Sequence, residues 1–281
     1  MKIAVITVLY HKIYKFNKQI QILKSISKDI DIVVINNNSP ENIPDYIIKN
    51  CDKYIYSSVN LGYGGGSNLG IKYALKKNYN KIWLINHDII TNKKLIYEML
   101  ELSKNFNVVT SPMFFKNGLF ETDGTGKINY FLGTGFTNKI KNKMNYFNLA
   151  NCIFDIDVFK KIGLFDEENF FLYWEDVDLC KRFFSFKEFN FVVSKNYAVH
   201  DDNIEDKISN KMYKIYLLST YNFFLKNTPF RLGIITCLVS AFVRSIKRLF
   251  SKEPQNFFIC WYIFFQAILS YYFTKPHNKL T

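Results

Sequence analysis

Apolar runs and helical spacings alternate along the N-terminal third of the chain. Four continuous apolar runs have the length of a buried strand, and each ends in polar or turn-forming residues. They cover residues 3–10, 31–40, 53–58 and 81–88. Between them, apolar residues recur at helical spacing over 14–28, 67–77 and 92–104. Strands that alternate with helices predict an α/β fold, with a mostly parallel central sheet and helices on both faces.

Polar clusters follow three of these strands. They lie at 36–39, 60–68 and 86–88. Ligands on parallel sheets bind beyond the carboxyl ends of the strands, so we expect the three clusters to meet at one edge.

The pattern changes after residue 110. Glycines punctuate short segments over 110–150, which predicts hairpins and loops. A strand, a short helix and a turn follow over 151–167, and a strand pair is predicted within 189–200. We therefore predict one domain over residues 1–206.

Residues 207–281 have a different character. Residues 212–227 form a predicted helix, and 257–273 are an apolar run at the lower limit of the roughly 17–25 residues that span a bilayer. The region carries eleven Lys and Arg and one acid, Glu253, whereas residues 1–206 carry 26 basic and 23 acidic residues.

Basic, hydrophobic helices are typical of interfacial anchors. We predict that residues 207–281 associate with an anionic membrane surface, while a helical cap on the body or a homodimer contact remains open. A nearly neutral body argues against a nucleic-acid partner.

Two further observations bear on the compartment. The five cysteines show no CxxC spacing and are odd in number, which argues against a disulfide framework and fits a reducing environment. The first apolar run has no small-residue cleavage site and is read as a buried strand. We expect a cytoplasmic protein, peripheral on the inner face of the cell membrane.

Asn86 and Asp88 end the fourth apolar run. Side chains two residues apart on a strand face the same side, so their oxygens could meet one divalent cation. An ordinary turn, which Asn and Asp also favour, is the alternative. His200 ends a later strand and could complete such a site or be structural.

Residues 60–70 read "NLGYGGGSNLG", a glycine-rich loop entering a helix with Ser67 as its N-cap. Glycines let a nucleotide approach the backbone, and a helix N-terminus favours anions. The stretch matches neither a Walker A loop nor a strict dinucleotide fingerprint. A flexible turn remains equally compatible with it.

Residues 170–183 read "FFLYWEDVDLCKRF". Acids in the first turn of a helix complement its dipole, and Asp178 with Arg182 makes an i,i+4 pair. A carboxylate behind an aromatic wall can instead be tuned for general-base work. The residues alone leave both interpretations open.

Six motifs, taken in order, resemble those of family 2 glycosyltransferases, nearest to the bacterial rhamnosyltransferase and galactofuranosyltransferase-like branch. They are "ITVLY", "VVINNNS", "NLGYGGGSNLG", "LINHD", "GLFDEENFFLYWEDVDLCKR" and "AVH". The resemblance covers about residues 1–205. It implies a GT-A fold, a nucleotide-sugar donor linked to UDP or dTDP, a divalent metal and inversion at the anomeric carbon. The acceptor would be a glycan or lipid-linked glycan of bacterial surface polysaccharide synthesis.

The resemblance also implies roles for individual residues. Asp88 would bind Mg²⁺ or Mn²⁺ together with His200. Asp176 would be the catalytic base, and Trp174 and Glu175 would line the acceptor site. The nucleotide-sugar site would comprise Thr7, Tyr10, Asn36, Asn38, Asn60, Gly65, Asn68 and Asn86.

Two other functions stay in competition. A protein of the same fold could bind sugar nucleotides or act as a scaffold without catalysis, although Asp88, Asp176 and His200 argue for an enzyme. A metal-dependent nucleic-acid enzyme is disfavoured because the positive charge lies beside hydrophobic helices.

Overall fold

The computed structural model describes residues 1–26, 29–137, 144–201, 209–250 and 256–274. The chain divides into two compact units. The first comprises Met1–Lys127, Thr137–Glu167 and Asp176–Asp206. The second comprises Ile128–Phe136, Glu168–Glu175 and Lys207–Thr281.

The described residues form fourteen β-strands and nine α-helices. The strands are β1 (Ile3–Leu9), β2 (Ile30–Asn37), β3 (Lys53–Ser57), β4 (Lys81–Ile85), β5 (Ile89–Ile90), β6 (Val108–Thr110), β7 (Met113–Phe115), β8 (Phe120–Thr122), β9 (Thr125–Asn129), β10 (Thr134–Thr137), β11 (Tyr146–Phe147), β12 (Asn151–Asp155), β13 (Phe191–Val193) and β14 (Ala198–His200). The helices are α1 (Phe16–Lys24), α2 (Asp45–Asn50), α3 (Gly62–Lys76), α4 (Lys93–Leu102), α5 (Ile156–Ile162), α6 (Glu175–Phe183), α7 (Asn210–Asn227), α8 (Phe230–Leu249) and α9 (Asn256–Leu269).

The central sheet has the strand order β13-β6-β12-β4-β1-β2-β3. Strands β3, β2, β1 and β4 are mutually parallel, and β12 runs antiparallel between β4 and β6. Alternate residues of each strand face opposite sides of the sheet. Ile6, for example, packs on the α3 side and Val5 on the side of α1 and α4. The predicted α/β fold with helices on both faces is confirmed.

The sequence prediction of a glycine-rich loop was wrong, because α3 begins at Gly62 and not near Ser67. Glycine disfavours a helix by about 1 kcal/mol relative to alanine, which is why the stretch looked like a loop. Packing overrides this preference. A Cβ on Gly66 would lie 2.8 Å from a methyl of Val8, and one on Gly70 would lie 2.5 Å from a methyl of Ile6. The glycines therefore let α3 lie close against β1.

Two smaller predictions also need correction. The segment 14–28 is a short 3₁₀ turn over Ile13–Lys15 followed by α1, which ends at Lys24; its last two positions lie outside the described residues. The two strands within 189–200 do not pair with each other. β13 extends the central sheet beside β6, whereas β14 joins a separate sheet between β5 and β7.

The second unit is built on α7, α8 and α9, and α9 continues as a π-helical turn over Ser270–Thr274. Phe230, at the start of α8, makes an edge-to-face contact with Tyr272, beyond the end of α9, so these two helices run antiparallel. Throughout the described ranges, every helix is too short or too polar to cross a membrane.

Helix α8 has an unusual distribution of side chains. Its buried residues are small or weakly polar: Gly233, Thr236, Cys237, Ser240, Ala241 and Ser245. Its solvent-exposed face carries an apolar row, which we call the α8 stripe: Ile235, Leu238, Phe242, Ile246 and Leu249. A surface helix of a water-soluble protein normally has the opposite arrangement.

Candidate active site

A three-residue polar cluster lies at the carboxyl edge of the first unit. His200, the last residue of β14, places Nε2 at 3.2 Å from Oδ2 of Asp88, which lies in the turn after β4. Its Nδ1 lies 3.1 Å from Oε1 of Glu121 on β8. The sequence therefore predicted that Asp88 and His200 meet, although they are far apart in the chain, and it missed Glu121.

The two carboxylates strongly affect the protonation of His200. Burial alone would lower the pKa of His200, but the hydrogen bonds and negative charges of Asp88 and Glu121 outweigh it and raise that pKa to about 10. Burial alone would raise the pKa of Asp88, but the hydrogen bond from His200 and the charges of His87 and His200 lower it to about 2. In the absence of a metal, the cluster is an imidazolium held between two carboxylates.

The turn after β4 presents two further oxygens. Strand β4 ends at Ile85, so the expectation that Asn86 and Asp88 share a face by strand alternation was wrong. Both residues nevertheless have a buried Oδ1 atom to which the described part of the chain offers no hydrogen bond. Such atoms usually have a partner in a folded protein, so they fit a ligand that brings one.

A divalent cation fits this chemistry in part. Mg²⁺ usually takes one or two carboxylates and completes its shell with substrate phosphates. Across the described ranges, no three His, Cys, Asp or Glu side chains are arranged to hold a metal on their own. The donor set of Asp88, with the Asn86 amide and His200 beside it, suits a cation that arrives with a diphosphate.

Four of the residues predicted to contact the donor lie at or just after the carboxyl ends of β1, β2 and β3. Asn36 donates to the Tyr54 hydroxyl at 2.8 Å and accepts from the Ser39 amide at 2.9 Å. Asn60 accepts from Asn37 at 3.0 Å. The edge is therefore a connected hydrogen-bond network that holds the loops after β2 and β3.

Two residues flanking that network remain partly accessible. Asn38 has a left-handed backbone, with φ 55°, and its side chain is exposed. Tyr10 is half-buried, and its carbonyl accepts from Ser39. Among the predicted donor contacts, Asn38 is the exposed one, and Tyr10 is as accessible as Asn60 and Asn86, which are also half-buried.

Three other predicted donor contacts have evident packing roles. Thr7 is fully buried and donates to the Ile85 carbonyl, joining β1 to β4. Asn68 is buried and bonds both the carbonyl and the amide of Phe165. A Cβ on Gly65 would lie 2.8 Å from the Cβ of Leu61. Contact of these residues with a donor stays a prediction.

The acidic residues in the first turn of α6 lie in different environments. Asp178 is fully buried and forms a 3.1 Å ion pair with Nε of Arg182, as the spacing predicted. Arg182 also donates to the Ile162 carbonyl. Asp178 is thus a structural acid that ties α6 to the end of α5.

Asp176 is different. Its carboxylate accepts a local hydrogen bond, from the amide of the next residue, Val177, to Oδ1 at 2.8 Å. Burial raises the pKa of Asp176 to about 6, and backbone hydrogen bonds offset only part of that increase. A carboxyl group with a pKa near neutrality can accept a proton in one step and release it afterwards.

The segment before α6 has a strained backbone within the second unit. Tyr173 and Trp174 both have positive φ values, 68° and 67°. A left-handed conformation costs roughly 1–2 kcal/mol for each residue that carries a Cβ. Such strain persists only where the surroundings enforce it, and it concentrates at functional sites.

Helix α7 supplies that enforcement. Ser219 donates to the Leu172 carbonyl at 2.7 Å, and Asn222 donates to the Asn169 carbonyl at 2.9 Å. The Trp174 ring packs on Phe223, with ring centroids 4.9 Å apart. Ser219 and Asn222 were not singled out from the sequence, yet they hold in place the segment that contains Trp174 and Glu175.

Comparison with known proteins adds independent findings. The sequence family described as Glycosyl transferase family 2 matches residues 12–163. The "Low-salt glycan biosynthesis hexosyltransferase Agl10" of Haloferax volcanii is 24% identical over 263 residues, which cover 86% of this chain and 84% of the relative.

Solved structures of S. aureus TarS, residues 1–349, share the fold. One superimposes with a TM-score of 0.57 at 17% identity and covers 95% of this chain and 81% of TarS. The TarS complex with UDP-GlcNAc gives a TM-score of 0.56 at 15% identity, covering 95% and 82% of the two chains. The likeness confirms a GT-A architecture.

Proposed function

The chain belongs to glycosyl transferase family 2, and we propose that it transfers a hexosyl or deoxyhexosyl group from a UDP- or dTDP-linked donor to a hydroxyl group of a glycan or lipid-linked glycan, with inversion at the anomeric carbon. One observation carries this proposal. His200 lies 3.2 Å from Asp88, as expected from the resemblance, in a chain where burial raises the pKa of the Asp176 carboxyl group to about 6.

Asp176 acts as the general base in this proposal. It accepts the proton of the acceptor hydroxyl while that oxygen attacks the anomeric carbon, and the nucleoside diphosphate leaves from the opposite face. Its raised pKa suits this task, because the carboxylate is ionised near neutral pH and still basic enough to take a proton. Trp174 and Glu175, which precede it, position the acceptor.

Asp88, Asn86 and His200 hold Mg²⁺ or Mn²⁺ in this proposal. The bound cation supplies charge neutralisation for the departing diphosphate. The unpaired Oδ1 atoms of Asn86 and Asp88 support this assignment. His200 must lose its proton before it can ligate the cation, so Asp88 and Glu121, which raise its pKa to about 10, oppose metal ligation increasingly as pH falls below that value.

The relatives support the substrate classes. TarS has been crystallised with UDP-GlcNAc, which favours a UDP-linked sugar as the first donor to test. The Haloferax relative is described as a hexosyltransferase of glycan biosynthesis, which favours a hexose and a growing glycan.

The exposed apolar surface of the second unit supports a lipid-linked acceptor at a membrane. The α8 stripe is matched on α9 by an exposed row at i, i+4, i+7 and i+11. That row consists of Phe258, Tyr262, Phe265 and Leu269. We propose that both rows insert into the headgroup region of an anionic membrane on the inner face of the cell membrane.

A second copy of the chain is a poorer partner for these rows than a membrane. Residues 207–281 carry eleven basic residues and one acid, so a symmetric dimer would bring two strongly positive regions together. Anionic lipids complement that charge, at about 1 kcal/mol for each basic residue near the surface.

Donor screening by thermal shift tests the transferase proposal. The protein is melted with Mn²⁺ and each of a series of UDP-, dTDP- and GDP-linked sugars. We expect one UDP- or dTDP-sugar to raise the melting temperature in the wild type and in Asp176→Asn, but not in Asp88→Asn. Stabilisation by no donor would favour a protein of this fold without transferase activity.

A further inference from the structure

A small cavity in the second unit is lined mainly by positively charged side chains. It measures about 240 Å³ and is lined by Tyr213 of α7 and by Arg244, Lys247 and Arg248 of α8. None of these four residues is a carboxylate. A concave surface whose charges share one sign concentrates counter-ions of the opposite sign.

The guanidinium groups of this cavity are held in place by aromatic rings. Arg248 lies 4.1 Å from the centroid of the Tyr213 ring. Arg244 lies 5.1 Å from the centroid of the Tyr216 ring, and it donates to the Gly133 carbonyl at 3.3 Å. Stacked guanidinium groups lose little further freedom on binding, so the cavity is pre-organised for a ligand.

The spacing of the three cations also points to an anion. Residues 244, 247 and 248 are i, i+3 and i+4 neighbours on α8. Like charges at this spacing repel each other and destabilise a helix by a few tenths of a kcal/mol per pair. A bound anion would turn this repulsion into attraction.

We propose that this cavity binds a phosphate group. Guanidinium groups make short, charge-assisted hydrogen bonds to phosphate oxygens, and Lys247 adds an exposed ammonium beside them. The same last turns of α8 expose Ile246, Leu249 and Phe250. A lipid headgroup is therefore the favoured source of the phosphate, and a soluble phosphate is the other source with the same chemistry.

This inference rests on the membrane part of the proposed function and on none of the transfer chemistry. The test uses the full-length protein and compares Arg248→Gln with Arg231→Gln. Arg231 is exposed at the opposite end of the same helix, so both variants lose one charge from α8 but only one alters the cavity. Lys247→Gln, an exposed position, provides a second cavity variant with little risk to folding.

Binding is measured by co-sedimentation with vesicles of phosphatidylcholine containing phosphatidylglycerol, and by calorimetry with inorganic pyrophosphate. We expect Arg248→Gln to weaken binding about tenfold and Lys247→Gln several-fold, because each removes a charge-assisted hydrogen bond. Arg231→Gln should weaken it less than about twofold. Loss of vesicle binding alone assigns a lipid phosphate, and a parallel loss of pyrophosphate binding assigns a phosphate site open to soluble ligands.

Equal losses in the Arg231 and Arg248 variants would overturn the proposal, because binding would then follow net charge. So would wild-type binding to neither probe. Nucleotide release from the sugar donor is measured in parallel and should stay at the wild-type rate in all three variants. If the wild type releases no nucleotide from any donor, the transferase proposal fails while the vesicle and pyrophosphate results are still decisive for the cavity.

Discussion

Replacing Asp176 by Asn should abolish transfer and, at the same time, stabilise the protein. Burial raises the pKa of this carboxyl group from 3.8 to about 6. Each pKa unit corresponds to about 1.4 kcal/mol, so ionised Asp176 costs the fold up to about 3 kcal/mol at neutral pH. Asn keeps the shape and the acceptor oxygen without the charge.

The contribution of Asp176 to the free energy of unfolding depends on pH. A carboxyl group with a raised pKa in the folded state favours folding fully below about pH 4, where it is protonated in both states. That contribution is lost as pH rises through about 6. We therefore expect Asp176→Asn to match the wild type at about pH 4 and to exceed its unfolding free energy by up to about 3 kcal/mol at about pH 8.

Urea unfolding at the two pH values measures this difference, and Asp178→Asn is the matched control. Asp178 lies two residues further along α6 and is fully buried in an ion pair with Arg182. Asp178→Asn removes the charge that pairs with the partly exposed Arg182, so the control should lose stability and move in the opposite direction. A stability gain in Asp176→Asn that is the same at both pH values would show that the raised pKa of Asp176 is not its cause.

Three further predictions concern the site. The turnover number with saturating donor should fall about tenfold per unit below roughly pH 6, as Asp176 becomes protonated; a flat profile down to about pH 5 would exclude it as the base. Mn²⁺ affinity, measured by calorimetry, should rise with pH because the His200 imidazole has a pKa of about 10 and must lose its proton to ligate; His200→Gln should remove this rise, and an unchanged slope would argue against ligation. Ser219→Ala should lower the turnover number with little change in donor affinity, because the hydroxyl holds the Leu172 carbonyl ahead of the acidic helix start, whereas a change in donor affinity alone would contradict that role.

Much of the fold followed from the apolar pattern because the central strands are buried on both sides. Runs such as residues 81–85 have no other stable environment than a covered sheet, and they formed β4 as expected. The prediction of a loop at the glycine stretch was wrong because local preference and tertiary packing disagree there. Its helix depends on contacts with Val8 and Ile6, which a local propensity cannot represent.

The candidate site was predictable only where the family motifs reach. Asp88 and His200 were paired through the resemblance, and the structure brings them to 3.2 Å. Glu121 lies in the short strand β8, where a single Glu between Phe120 and Thr122 carries no distinctive signal. The role of Ser219 could not be predicted either, because a Ser in a hydrophobic helix gives no indication of which carbonyl it bonds.

The anomeric configuration of the product and its rate of formation test whether this chain is an inverting transferase with Asp176 as its base. The wild type and Asp176→Asn are each incubated with the stabilising donor, Mn²⁺ and a glycan acceptor, and the product is followed by proton NMR. We expect the wild type to form a glycoside of inverted configuration, and Asp176→Asn to form it at least about a hundredfold more slowly. Retained configuration would exclude an inverting mechanism, and equal rates in the two proteins would exclude Asp176 as the base.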